Sequence, residues 1–135
     1  MNYRHDFHAG NFADVFKHTV LIGLLDALKQ KAAPFCYFDT HAGAGSYDLR
    51  GVQAEKTGEA ADGVLRLLPV ESPPPLLQGY LDLLRSLNPV DAGRELAVYP
   101  GSPLIAARLM RETDRAVLCE LQQDEAAQLK KLFGL

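Results

Sequence analysis

The chain has 135 residues, of which 47% are hydrophobic and 23% charged, with a formal net charge of -3. Those values suit a single folded domain with a real core and exclude a disordered or fibrous chain. The negative balance argues mildly against a nucleic-acid partner, since phosphate contacts need Lys or Arg, yet Arg4, His5, His8, Lys17 and His18 gather near the amino terminus as a local cationic group.

The first residues, Met1-Asn2-Tyr3-Arg4-His5-Asp6, lack the apolar core of a secretory signal. Residues 20–25 form the longest apolar run and are far too short to span a bilayer, so no membrane partner and a cytoplasmic location are expected. Asn11 then offers an N-cap and Asp14 an acid in the first turn. A long helix is predicted over residues 12–31, with Val15, Phe16, Val20, Leu21, Leu24, Leu25 and Leu28 as its buried stripe. Asp14, Lys17 and His18 share one side of it, and Pro34 forbids its continuation.

Residues 35–39 read as a buried parallel strand ending in an acid, followed by Asp39-Thr40-His41-Ala42-Gly43-Ala44-Gly45. Glycines after a strand let backbone approach a ligand closely, and the acid can accept hydrogen bonds from it, as in nucleotide-type cofactor sites. The spacing is neither a dinucleotide fingerprint nor a phosphate P-loop, since no third glycine and no Gly-Lys-Ser/Thr follow. Between about residues 51 and 92 the pattern turns helical, with helices over about 57–68 and 76–87, and reads as an inserted subdomain. In the first of these, Ala60, Ala61, Val64, Leu65 and Leu68 should face inward.

Residues 96–99 are short and extended. Ser102-Pro103 is then a strong helix start, with Ser102 as N-cap and Pro103 first in a helix to about residue 111. Residues 116–121 form a second strand carrying Glu120, and a last helix begins near Gln122 or Gln123. Cys36 and Cys119 fall in the two strands, where cysteine behaves as a small hydrophobe; no disulfide is expected. His5-x-x-His8 with Asp14 and His18 has a spacing that permits a metal, but lacks a closed tetrad, and no metal is expected.

Taken together, the block from Tyr3 to His18, the loop from Asp39 to Gly45, Tyr99-Pro100-Gly101-Ser102-Pro103 and Glu120-Leu121 closely resemble the ribosomal large subunit methyltransferase J family of bacterial RNA methyltransferases. The resemblance runs from Tyr3 to about Leu121 and is least specific between Asp48 and Leu96. It implies an α/β, Rossmann-like class I S-adenosylmethionine-dependent methyltransferase, here with an incomplete sheet and the helical insertion. It also implies methylation of adenine N6 in large-subunit (23S) ribosomal RNA, by an enzyme that is a monomer at full length.

The cofactor residues it implies are His18, His41 and Ser102, beside the glycine loop of Gly43 and Gly45. Ser102 is sufficiently explained as an N-cap and can serve both roles. Glu120, at the carboxyl end of the second strand, stands where such folds accept a ribose hydroxyl, and Asp39 should lie near the amino-acid moiety. On the RNA side the resemblance places Tyr3, with His5 and Lys17 nearby; an aromatic ring suits holding a base taken out of its stack.

One departure matters. The family's catalytic Asp-Pro-Pro-Tyr motif has no counterpart, so no catalytic residue is assigned and residues 1–135 are expected to be the amino-terminal part of one longer methyltransferase domain, inactive as they stand. The rival in another class is a noncatalytic RNA-binding or ribosome-assembly protein on the same fold. A related amino-methyltransferase acting on DNA is a third reading.

Overall fold

The computed structural model describes residues 4–88 and 96–135, apart from the side chain of Gln53. Tyr3 and the end of the expected insertion, residues 89–92, lie outside the described residues. The chain forms two compact units, one made from Met1–Val20 with Tyr47–Tyr99 and the other from Leu21–Ser46 with Pro100–Leu135.

In the first unit a 3-10 turn at His5–Phe7 precedes helix α1, Phe12–Lys29, whose opening turns belong here. Asn11 Oδ1 accepts from the Asp14 amide at 2.9 Å, which is the expected N-cap. After β1 (Cys36–Asp39) of the other unit, the short strand β2 (Ser46–Asp48) pairs with β3 (Val98–Pro100). Helices α2 (Val52–Thr57), α3 (Glu59–Asp62) and α4 (Pro75–Leu87) lie between them in the chain. Val64, Tyr80, Leu81, Leu84 and Tyr99 are fully buried and form the interior.

The second unit takes the rest of α1, together with α5 (Ser102–Leu109), β4 (Arg115–Leu118) and α6 (Gln123–Phe133). Strand β1 pairs with β4 in parallel, in the register Cys36↔Arg115 to Asp39↔Leu118. An ion pair sets this register. Arg111 donates to both oxygens of Asp114, at 3.0 and 2.9 Å, and to the Lys31 and Ala33 carbonyls. Asp114 in turn accepts from the Phe35 amide at 3.1 Å. The Arg111 guanidinium holds the Asp114 carboxyl well below the usual carboxylate range. Ile22, Leu25, Ile105, Ala106 and Leu129 are buried here.

Four local expectations need correction. The buried face of α1 is Asp14, His18, Ile22 and Leu25, whereas Phe16, Val20, Leu24 and Leu28 of the expected stripe are exposed, Phe16 by 73%. Hydropathy pointed the wrong way because half of the inward face is polar, held by hydrogen bonds and an ion pair. The strands are not buried on both faces either. Phe38, its register neighbour Val117 and both cysteines are exposed, and in β4 Ala116 on the other face is exposed as well. The single helix expected at 57–68 is broken by Gly58, at φ +64°, and by Gly63, so Leu65 turns outward. Finally, Ser102 is the first residue of α5 and Gly101 stands at the cap position.

Gly63 has a packing reason to be glycine. A Cβ there would lie 2.2 Å from the Gly10 carbonyl oxygen and 2.7 Å from the Asn11 carbonyl carbon. The Val64 amide, one residue on, donates to that Gly10 oxygen at 2.8 Å, so the two backbone segments are tied together and cannot part cheaply. Gly63→Ala should therefore destabilise the fold by about 3 kcal/mol, the upper end of the overpacking range. Urea unfolding measures this; a loss below about 1 kcal/mol would mean the segments separate easily.

Candidate functional site

The second unit carries the glycine loop and its two acids. Strand β1 delivers Asp39, whose carboxylate gathers three donors. Ser102 Oγ at 2.6 Å and Tyr37 Oη at 2.7 Å donate to Oδ2, and the His41 amide at 3.1 Å donates to Oδ1. Tyr37 was not foreseen, although its position two residues before Asp39 puts both side chains on one face of the strand. Burial, then the Asp39 contact, pushes the Tyr37 phenol up, so it stays a proton donor. The Asp39 carbonyl also accepts from the Cys119 amide, and the Ala42 amide donates to the Cys119 carbonyl, which ties the loop to the β4 end.

Glu120 supplies the second anchor. Its Oε2 accepts from the Gly43 amide at 2.8 Å and its Oε1 from the Gln122 amide at 2.7 Å. Gly43 (φ +65°) and Gly45 (φ +80°) both occupy the left-handed region, where a side chain is strained. At Gly45 a Cβ would also press on the ends of the Leu129 and Leu132 side chains, at 2.8 Å, which would have to shift. His41 is exposed, with Nδ1 2.9 Å from Thr40 Oγ1. Thus Asp39, His41, Gly43, Ser102 and Glu120 come together around one loop. A shallow groove that Glu120 shares with Leu118, Ala126, Leu129 and Phe133 adds an apolar lining.

His18, the remaining residue implied for the cofactor, belongs to the first unit. It is buried, with Nδ1 3.0 Å from Tyr99 Oη, and Tyr99 Oη lies 3.0 Å from Tyr80 Oη. Burial pushes both phenols up and keeps them protonated. Neither link is legible in the sequence, since Tyr99 lies 81 positions from His18 and 19 from Tyr80.

Of the expected RNA-side residues, His5 and Lys17 are brought together in the first unit by Asp14. Asp14 Oδ2 sits 2.8 Å from His5 Nε2 and accepts from the Gly10 amide at 3.0 Å, while Oδ1 lies 3.0 Å from Lys17 Nζ. The Lys17 contact is an ion pair without good hydrogen-bond alignment. Asp14 itself is fully buried. Burial, the largest single influence, pushes its carboxyl up, but the His5 hydrogen bond, the electrostatic influence of His5 and His18 and the close Lys17 contact outweigh it and hold it at about 2.

A folded-state value below the ordinary 3.8 means that Asp14 stabilises the fold fully above about pH 4, and that this contribution, roughly 2 kcal/mol, is lost as pH falls towards 2. Asp14→Asn should lower the unfolding free energy at neutral pH and flatten its acid limb. Urea unfolding followed down the acid range checks this; an unchanged acid limb would show that another carboxyl governs it.

Comparison with known proteins adds the context of the whole chain. A family model described as "Ribosomal RNA large subunit methyltransferase D, RlmJ" matches residues 32–134. Two curated proteins named ribosomal RNA large subunit methyltransferase J are similar over nearly the entire chain. The one from Escherichia coli (strain K12) is 44% identical over 98% of this chain and 46% of its own length, and the one from Haemophilus influenzae is 45% identical over 99% and 47%. The crystal structure of protein LPL1258 from Legionella pneumophila, of family DUF519, superposes with a TM-score of 0.82 at 39% identity, over 92% of this chain and 44% of that one. The chain thus spans about half the length of the relatives it matches. With a mixed α/β fold, a glycine loop pinned between two carboxylates and a family match over most of its residues, the chain belongs to the RlmJ family of ribosomal RNA large subunit methyltransferases.

Proposed function

We propose that this chain is the S-adenosylmethionine-binding part of a Rossmann-like class I methyltransferase, and that the whole protein methylates adenine N6 in 23S ribosomal RNA. The observation that carries the reading is the clamp between Glu120 and the Gly43 amide, at 2.8 Å. It brings the loop after β1 to the acid beyond β4, on two neighbouring parallel strands. Ligands of open α/β sheets bind outside the carboxyl ends of the strands, where such loops lie.

The residues present fit this cofactor. A carboxylate accepts at about four lone-pair sites, so Glu120 can hold two backbone amides and still take a ribose hydroxyl. The apolar groove it shares with Leu118, Leu129 and Phe133 suits the purine. Asp39, with Ser102 and the His41 amide on it, is a fixed anion for the ammonium end, and the positive-φ glycines bring bare backbone to the ligand. His18 is a proposed cofactor residue on the family resemblance alone. Bound S-adenosylmethionine supplies an electrophilic methyl group. The residues here bind and orient it, and the group that activates the adenine amine lies outside this chain, which has no Asp-Pro-Pro-Tyr.

His5 and Lys17, with Tyr3, form the proposed RNA side. A noncatalytic RNA-binding role would keep that side and dispense with the cofactor, so cofactor affinity separates the two readings. Isothermal titration of S-adenosylmethionine should show binding, weakened in Glu120→Ala by roughly 1–3 kcal/mol, the cost of a hydrogen bond to a charged group. Unchanged affinity removes Glu120 from the site.

In a polypeptide of the relatives' full length, Tyr3→Ala should slow methylation of RNA by about tenfold or more while leaving cofactor affinity in place, because base stacking contributes about 1–3 kcal/mol. Lost cofactor binding with unaltered RNA kinetics would put the tyrosine on the wrong side.

A further inference from the structure

We propose that Asp14 is a positioning residue for RNA. Its buried carboxylate fixes the His5 ring and the Lys17 ammonium in the arrangement in which they meet the strand. The inference rests on the reading of His5 and Lys17 as the RNA side. Its physical basis is an asymmetry of exposure. The Asp14 side chain is 1% exposed and is shut off from a macromolecular ligand, whereas that of Lys17 is 60% exposed and that of His5 16%. What Asp14 does towards a ligand it must do through these two.

The geometry of the carboxylate is itself overdetermined. The Gly10 amide holds Oδ2 at 3.0 Å, and Asn11 caps the Asp14 amide, so the side chain is anchored in the first turn of α1. Helix capping does not account for it, because Asn11 performs that task. The favourable placing of an acid near a helix amino terminus would be met by an exposed carboxylate and calls for no His5 or Lys17 contact. An ionised carboxylate only accepts, so the proton on its 2.8 Å contact with His5 sits on Nε2. That fixes the orientation of the ring, which also packs edge-on against Tyr47 at 4.9 Å between centroids. Lys17, held at 3.0 Å from Oδ1, loses part of its free charge to this pair and gains a fixed direction. The pair suits recognition of a single displaced nucleotide, with one base edge and one phosphate, better than diffuse attraction to a duplex.

The test is fluorescence-anisotropy titration of a labelled RNA hairpin bearing an unpaired adenine, with wild type, Asp14→Asn, His5→Ala, Lys17→Ala and their combinations. All are compared at a temperature where thermal unfolding shows each to be folded. Asp14→Asn should weaken binding roughly tenfold, within the coupling range of residues in contact, and should add nothing in the His5→Ala, Lys17→Ala background. A full additive loss there, or unaltered affinity of Asp14→Asn while the other two weaken binding, overturns the positioning role. If neither His5→Ala nor Lys17→Ala weakens binding, the RNA-side reading fails and takes this inference with it.

Should Asp14→Asn not fold, Asp14→Glu keeps the charge and displaces the carboxylate by one methylene. Nitrogen-15 spectra of the imidazole should then show a shift of the His5 Nε2 resonance as its contact with the carboxylate changes, together with weaker RNA binding. A His5 signature unchanged by that substitution also overturns the proposal.

Discussion

The parallel pairing of β1 with β4 is the constraint on which the second unit is built. Parallel neighbours cannot be joined by a tight turn, so the chain must leave β1 and return by a crossover to the same end. Here that crossover holds everything between Asp39 and Arg115. Two strands so distant in sequence need something to set their register, and Asp114 with Arg111 does it. The bidentate pair grips the chain before β4, while Asp114 and the Arg115 amide reach the backbone of Phe35 just before β1. A slip by one residue would turn Tyr37 and Asp39 to the opposite face and separate them from Ser102.

With register fixed, the chemistry at the strand ends follows. Asp39 is the acceptor for a phenol, a hydroxyl and an amide, and Glu120 for two amides. Both acids therefore hold backbone or side chains in place. A loop that approaches a ligand closely must be free of side chains and must also be rigid, and these demands conflict, because glycine is the most flexible residue. The two carboxylates resolve the conflict by anchoring Gly43 and His41 through their amides.

The first unit solves a different problem, that of a polar interior. Its buried face of α1 brings Asp14 and His18 inside, where His18 meets the buried Tyr99 hydroxyl and Tyr99 meets that of Tyr80. Partly satisfied buried polar groups are costly, and fully connected ones specify a single arrangement. Tyr80 belongs to α4, in the helical segment whose purpose the sequence did not disclose. Its hydroxyl on Tyr99 gives that helix a structural task, holding the partner of His18.

The sequence by itself determined what local chemistry controls. Asn11 caps α1, Pro34 follows its end, α4 and α6 fall within a residue of their expected starts, and the glycine loop lies after β1. The loop itself was legible as a motif because strand, acid and glycines are adjacent in the chain. Tertiary structure decided the rest, wherever a partner is remote in sequence or hydropathy misleads. Hydropathy put Phe16 and Leu24 inside α1, although Asp14 and His18 face inward, because a buried polar residue held by remote partners has no periodic signature. Ser102 looked like a cap and is instead a donor to Asp39, 63 residues away. The pairings of β2 with β3, Ser102 with Asp39 and Tyr80 with Tyr99 depend on where the chain returns after long excursions, and no local pattern of residues encodes that return.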